Sequence, residues 1–297
     1  MRTTAVSSGA QAWASPAIVG ALTCSALGAA LGKSLFATVG PEGVTALRLG
    51  FSALLLMAIG RPWRKGPQRS LPLAIIGFGV SLGLMNILIY QAFARLPLGV
   101  AAAVEVTGPL LVALAHSRRP LDFLWLATAV GGLLFLLPLR TENDLDPVGL
   151  LFAAGAAACW ACYILFGKKI SPLGPARAVS LGMAVAATFG VPFGVYNAGA
   201  SLLGWQILAV GLLVALLSSA IPYMLEMFAF RRLPPSALGI LLSAAPAISA
   251  LMGTLLLNER LSNQQMLSIV LIMGGPPDAR SSPAKLLLDV SICLHKA

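Results

Sequence analysis

The sequence contains very little charge. Only 10% of its 297 residues are Asp, Glu, Lys or Arg, whereas 58% are hydrophobic, and the mean hydropathy is +0.88. A soluble domain cannot bury that much apolar surface. The formal net charge is +10, but the basic residues lie in short gaps between apolar segments, where membrane orientation signals are found. This pattern argues against nucleic-acid binding.

Cysteine and histidine are also scarce. Four cysteines embedded in apolar sequence are too few for a disulfide framework or a zinc site, so packing is their expected role. Cys159 and Cys162 form a C-x-x-C pair, but they lack the strand context of a redox motif. No convergent nucleophile, metal cluster or acid/base pair is evident, so we expect neither an enzyme nor a bound cofactor.

The long apolar runs predict an all-α integral membrane protein. A crossing needs roughly 20 apolar residues, so the length accommodates about ten helices and no further catalytic domain. The predicted segments are 16–36, 43–59, 71–93, 98–115, 121–138, 147–167, 176–197, 205–229, 236–257 and a tenth from about 264.

Two stretches of the chain repeat each other. Arg95-Leu96-Pro97 followed by Pro109 has the same spacing as Arg232-Leu233-Pro234 followed by Pro246. About five membrane-length segments separate the copies, and this odd number predicts that the second half enters the bilayer inverted. Inverted repeats are typical of secondary transporters. We therefore predict a first five-helix repeat over 16–138 and a second over 147–275.

The charge distribution predicts a cytoplasmic N-terminal segment, 1–15. With this orientation most cations face inward, while Lys33, Arg95, Arg140 and Arg260 remain outside. The predicted inner residues are Arg2, Arg61, Arg64, Lys65, Arg69, Arg118, Arg119, Lys168, Lys169, Arg177, Arg231 and Arg232.

The tenth segment is short. Its apolar run, 266–273, leads directly into Gly274-Gly275-Pro276-Pro277-Asp278, which is too early to span about 30 Å of hydrocarbon. We predict an incomplete last helix and an atypical C-terminal tail over 276–297. A sequencing or frame error near Gly275 would give the same pattern.

Several motifs resemble those of the EamA-type drug/metabolite transporters. Arg-Leu-Pro occurs twice, Ala46-Leu47-Arg48-Leu49 lies in the second segment, and Leu257-Asn258-Glu259-Arg260-Leu261 follows the ninth. Four further stretches are similar to the threonine/homoserine exporter branch: 105–110 (EVTGPL), 117–123 (SRRPLDF), 158–164 (ACWACYI) and 221–227 (IPYMLEM). This resemblance implies a ten-helix carrier of the cell inner membrane that exports small amino acids or related metabolites.

Ionisable residues inside apolar segments are the candidates for a substrate site, because their insertion costs at least ~2.5 kcal/mol at a helix centre. Arg48 and Glu105 lie at similar depth, with Asn86 and Tyr90 close to that level. These four predict an outer polar layer, in which Glu105 meets the substrate ammonium and either Arg48 or helix N-terminal amides meet its carboxylate. A structural ion pair between Arg48 and Glu105 is the alternative.

Inversion predicts an inner counterpart of this layer, formed by Tyr163, Tyr223 and Glu226. Trp160 is a further candidate for the substrate site, although Trp160 and Tyr163 are more often packing aromatics. Glu226 is close enough to a helix end to reach interfacial water, which is its alternative interpretation.

Pro109 and Pro246 occupy matched positions in the fourth and ninth segments. Each removes a backbone hydrogen bond and favours a kink, so we predict a symmetric pair of hinges, or else two static kinks. Protons are a candidate coupling ion through Glu105, and proton antiport and uniport both remain open. The alternatives to an amino-acid exporter are an exporter of drugs or nucleobase-like metabolites and a non-transporting partner or decayed copy.

Overall fold

A computed structural model describes residues 13–65, 72–116, 145–233 and 241–259, together with 127, 131, 132, 238, 267 and 271. All regular structure in these ranges is helical. The α-helices bounded within them are α1 Ala14–Ser34, α2 Phe36–Gly60, α3 Pro72–Phe93, α4 Leu98–Glu105, α5 Thr107–Ala115, α6 Pro147–Ile170, α7 Pro175–Ala198, α8 Trp205–Ala215, α9 Ile221–Phe230 and α10 Ala245–Leu257.

Seven helical spans in the described part of the chain are long and apolar enough to cross a membrane. Leu98–Ala115 contains both α4 and α5, Trp205–Phe230 contains α8 and α9, and the shorter apolar helix Ala245–Leu257 follows. The chain is therefore a multi-pass membrane protein. The predicted fifth and tenth segments, the tail 276–297 and nearly all of the N-terminal segment lie outside the described residues, so the count of ten stays a prediction.

Helix limits follow the local sequence. Asp146 caps α6, because its carboxylate accepts the Val148 N–H at 2.8 Å, and Pro147 occupies the first turn, where no N–H is needed. Gly40 has φ +68°, a left-handed value that favours glycine, and Pro41 begins the straight part of α2. The predicted start at 43 therefore falls just after this bend.

The packing pattern pairs helices of the first half with helices of the second. The α2 helix packs along α7, and α4 packs against α10. In addition, α3 packs along α6, and α1 packs along the α8–α9 span. When the two halves are matched helix by helix, α1 corresponds to α6 and α3 corresponds to the α8–α9 span. The contact of α3 with α6 is then equivalent to the contact of the α8–α9 span with α1. The core thus lies between the halves.

The two Arg-Leu-Pro segments lie at opposite ends of α6. Arg95 is 3.6 Å from Asp146 at the start of this helix, whereas Lys168, in its last turn, donates to the Leu233 carbonyl at 2.5 Å. Asp146 and Lys168 are 22 positions apart, or about 33 Å along a helix. This separation is comparable to the thickness of a hydrocarbon core.

A similar contact from a lysine to an Arg-Leu-Pro segment occurs at each end of α6. Lys33, near the end of α1, donates to the Leu96 carbonyl at 2.9 Å, just as Lys168, near the end of α6, donates to the Leu233 carbonyl. Lys33 also forms an ion pair with Glu259 at 2.7 Å. The first helix of each half is thereby attached to its own half's Arg-Leu-Pro segment.

Candidate functional site

One cavity among the described helices combines a guanidinium group with two carboxylates. Seven helices line it, α1, α2, α3, α4, α6, α9 and α10, so both halves of the chain contribute. Charged groups are costly among apolar helices and are therefore typical of functional sites. The polar and aromatic residues of the lining are Ser25, Arg48, Asn86, Glu105, Trp160, Tyr223, Glu226 and Ser249.

Arg48 is held by several partners. It lies on α2 with only 5% of its surface exposed. Its Nε donates to the Ser219 hydroxyl at 2.6 Å, and its Nη2 donates to the Ser218 carbonyl at 2.5 Å and to the Tyr223 hydroxyl at 3.2 Å. The Tyr90 ring centroid is 5.0 Å from its Cζ, within the range of a cation–π contact.

The Tyr223 hydroxyl connects the two halves of the chain. Besides the Arg48 contact, it accepts a hydrogen bond from the Asn86 Nδ2 at 3.0 Å. Asn86 is fully buried on α3, where its Nδ2 also donates to the Leu82 carbonyl. The outer and inner polar layers expected from helix depth are therefore not separate, because they share this hydroxyl.

Glu226 is buried, with 5% of its surface exposed. Its Oε2 accepts a hydrogen bond from the Tyr163 hydroxyl at 2.9 Å. The Tyr163 ring stacks on Phe78 with a centroid distance of 4.8 Å, which fixes the donor. Glu226 thus lines the cavity and is held there by an aromatic residue.

Glu105 is the last residue of α4 and is half-buried at the cavity wall. No nitrogen of Arg48 lies within 4.0 Å of its carboxylate, so the two residues do not form the ion pair considered as an alternative. Both charges face the same cavity.

The eight predicted site residues come together, but in two different roles. Arg48, Asn86, Glu105, Trp160, Tyr223 and Glu226 line the cavity. Tyr90 and Tyr163 are fully buried behind it and support Arg48 and Glu226 respectively. The predicted cluster therefore contains a lining and a supporting layer.

Sequence reasoning missed the serines. Ser25 and Ser249 line the cavity, and Ser218 and Ser219 hold Arg48. A signal was present, because Ser218 and Ser219 interrupt an apolar run four and three positions before Pro222. Hydroxyl groups at that place in a membrane span need partners.

Pro109 and Pro246 each follow an interruption of the helix. Val106, between α4 and α5, keeps helical dihedral angles (φ −64°, ψ −15°), but the hydrogen-bond ladder is interrupted here because Pro109 has no N–H to donate to the Glu105 carbonyl. A corresponding turn at residues 243–244 precedes Pro246. The helical hydrogen bonding is therefore interrupted before both prolines, and the first interruption directly follows Glu105, whereas the predicted hinges stay a prediction.

The described residues contain no group of three or more His, Cys, Asp or Glu side chains that could hold a metal ion. Cys24, Cys159 and Cys162 are free thiols.

Comparison with known proteins connects this geometry to transport. The model of the EamA-like transporter family matches residues 147–276. Threonine/homoserine exporter RhtA of Salmonella typhimurium strain SL1344 is 46% identical over 269 residues, which cover 89% of this chain and 91% of the exporter. The exporter of the same name from Escherichia coli strain K12 is 47% identical over 250 residues, or 84% of each chain.

A solved structure shares the fold. A protein of known crystal structure superimposes with a TM-score of 0.66, and the match covers 93% of this chain and 98% of that one. Its sequence is only 21% identical, so this likeness concerns the fold alone.

Proposed function

Because the chain belongs to the EamA-like transporter family, we propose that it exports small amino acids of the threonine and homoserine type, or related metabolites. The observation that carries the proposal is the cavity in which one guanidinium and two carboxylates lie together. A zwitterionic amino acid has one carboxylate and one ammonium group. Such a cavity offers a group of opposite charge to each end of a zwitterionic amino acid.

Arg48 binds the substrate carboxylate in this proposal. Its Nε and Nη2 are engaged with Ser219, Ser218 and Tyr223, and its Nη1 takes no part in those bonds. Arginine suits this role, because it stays charged and its planar group matches a carboxylate.

Glu105 binds the ammonium group, with Glu226 as a second anionic partner across the cavity. Glu105 has no arginine nitrogen within 4.0 Å, whereas Glu226 already accepts the Tyr163 hydroxyl. Threonine and homoserine also carry a hydroxyl group. Ser25 and Ser249 line the cavity and offer neutral partners for it.

Transport proceeds by alternating access between two inverted five-helix repeats, 16–138 and 147–275. Three matched features support this arrangement. Helix contacts recur between the halves, each half ties a lysine to its Arg-Leu-Pro segment, and an interruption of the helical hydrogen bonding precedes both Pro109 and Pro246. The two prolines act as hinges, because a helix that lacks a backbone bond bends at lower cost.

The protein resides in the cell inner membrane with a cytoplasmic N-terminus. This orientation puts the end with Lys168 and Arg232 inside and the end with Lys33 and Arg95 outside, in agreement with the excess of cations in predicted inner loops. Reporter tags at Arg95 and Arg232 should report opposite compartments. Exposure of both to one compartment would contradict the inverted arrangement.

The direct test is counterflow of labelled threonine and homoserine in proteoliposomes. We expect exchange by the unaltered chain and a rise in KM of about 10- to 100-fold for Glu105→Gln, because a charged hydrogen bond contributes about 1.5–3 kcal/mol. Glu42→Gln is the matched control. Glu42 accepts from Gln91 at the end of the bundle and does not line the cavity.

Each outcome has a distinct meaning. Equal activity of the Glu105→Gln and Glu42→Gln variants would show that Glu105 carries no essential charge. Exchange of drugs or nucleobase-like compounds without amino acids would favour the alternative exporter, and no exchange at all would favour a non-transporting copy. An imposed pH gradient separates proton antiport, which it would drive, from uniport.

A further inference from the structure

The segment between α8 and α9 forms an unusual turn beside the cavity. Residues Leu216–Ala220 are π-helical, and the Ile221 N–H bonds to the Leu216 carbonyl five positions earlier. Single π-turns inside α-helices are frequent at functional sites, because they redirect backbone groups. The groups redirected here are those that contact Arg48.

Pro222 leaves the Ser218 carbonyl available. In an α-helix this carbonyl would accept the N–H of residue 222, and proline has none. The carbonyl instead accepts the Arg48 Nη2 at 2.5 Å. The next residue, Ser219, accepts the Arg48 Nε through its hydroxyl at 2.6 Å. One turn thus supplies two adjacent acceptors to one edge of the guanidinium.

The α1 helix packs closely against this turn. A Cβ atom added at Gly28 would lie 2.6 Å from the Ser218 nitrogen and 2.7 Å from the Ser218 Cβ. Real side chains do not approach so closely, so only glycine permits this contact. The turn is therefore in contact with both α1 and Arg48.

We propose that Ser219 and Pro222 are positioning residues that orient the Arg48 guanidinium toward the carboxylate of the substrate. The inference rests on the proposed function. By occupying the Nε edge, the two acceptors remove the rotational freedom of a long side chain, and Nη1 is left for the ligand. An arginine fixed in this way binds a carboxylate with less loss of entropy than a mobile one.

Ser219→Ala and Pro222→Ala test the proposal by different routes. The first removes the acceptor of Nε. The second keeps the Ser219 hydroxyl but restores an N–H that competes for the Ser218 carbonyl. Ser52→Ala is the matched control, because Ser52 is fully buried one turn from Arg48 and donates to the Ala215 carbonyl.

The measurement compares threonine with threoninol, in which a hydroxymethyl group replaces the carboxylate. Both are used as competitors of labelled threonine in counterflow, and thermal unfolding is recorded for each variant. We expect Ser219→Ala and Pro222→Ala to weaken threonine binding about tenfold while threoninol binding is unchanged. Ser219→Thr, which keeps a hydroxyl group, should restore the preference for threonine, and Ser52→Ala should leave it intact.

A purely structural role predicts a different result. Equal weakening of threonine and threoninol, or an unchanged preference in both variants, would overturn the positioning role while the proposed function stands. Failure of the unaltered chain to bind threonine would overturn both, because the guanidinium would then have no carboxylate to receive.

Discussion

Two ion pairs at the same end of the bundle differ in their exposure to solvent. They allow the effect of burial on the coupling energy of an ion pair to be measured. Lys33 and Glu259 are 2.7 Å apart, with side chains only 22% and 13% exposed. Arg95 and Asp146 are 3.6 Å apart and 34% and 38% exposed. We predict that the first pair couples more strongly than the second in the free energy of unfolding.

The distance alone does not account for this difference. At an effective dielectric constant of 20, the attraction is about 6 kcal/mol at 2.7 Å and about 5 kcal/mol at 3.6 Å, before any desolvation. Solvent screening reduces exposed pairs to about 0.2–1 kcal/mol. Glu259 also accepts the Leu98 N–H at 2.9 Å through its other oxygen, which holds the carboxylate in place. We therefore expect a coupling of about 2 kcal/mol for Lys33 with Glu259 and below about 1 kcal/mol for Arg95 with Asp146.

The assay is a double-mutant cycle for each pair, followed by denaturant unfolding in detergent micelles. Lys33→Met and Glu259→Gln form one cycle, and Arg95→Met and Asp146→Asn form the other. Asparagine keeps the ability to cap α6, and the cycles cancel contacts that each residue makes elsewhere. Equal coupling energies in the two cycles would refute the reasoning, because burial and the backbone bond would then contribute nothing.

Two further predictions concern helix packing and hinges. Gly108→Ala should lower the free energy of unfolding by about 1–3 kcal/mol in the same micelle assay, because the added Cβ would lie 2.0 Å from the Ala157 carbonyl oxygen. Gly20→Ala should not lower the free energy of unfolding, because its added Cβ would lie 3.8 Å from the nearest atom. Equal losses of stability in the two variants would contradict the close packing at Gly108. Pro109→Ala should slow counterflow if the break after Glu105 flexes during transport, and an unchanged rate with an unchanged balance of access states would indicate a static kink.

Hydropathy alone locates most of the described membrane spans. The predicted start of α6 at 147 coincides with Pro147, and the predicted end of α3 at 93 coincides with Phe93. Proline and charged residues mark these helix ends, and each acts on the backbone close to its own position in the sequence. The inversion of the two halves and their ten-helix count depend on segments beyond the described ranges and remain predictions.

Lateral contacts within the membrane were harder to anticipate. Depth counting put Asn86 and Tyr223 in different layers, yet they are hydrogen-bonded. Position along a helix axis says nothing about how far a tyrosine reaches across to its neighbour. The π-turn was also not predicted, because it depends on how Ser218, Pro222 and Arg48 meet in space.

The lysine contacts at the two ends of α6 have an implication for sequence change. Both Lys33 and Lys168 bond to main-chain oxygens, of Leu96 and Leu233. A main-chain acceptor is present whatever amino acid occupies the position, so these cross-links place no chemical demand on the side chains there. The two halves of the chain are therefore free to diverge at residues 96 and 233 within the limits of size, while the attachment at each end of α6 persists.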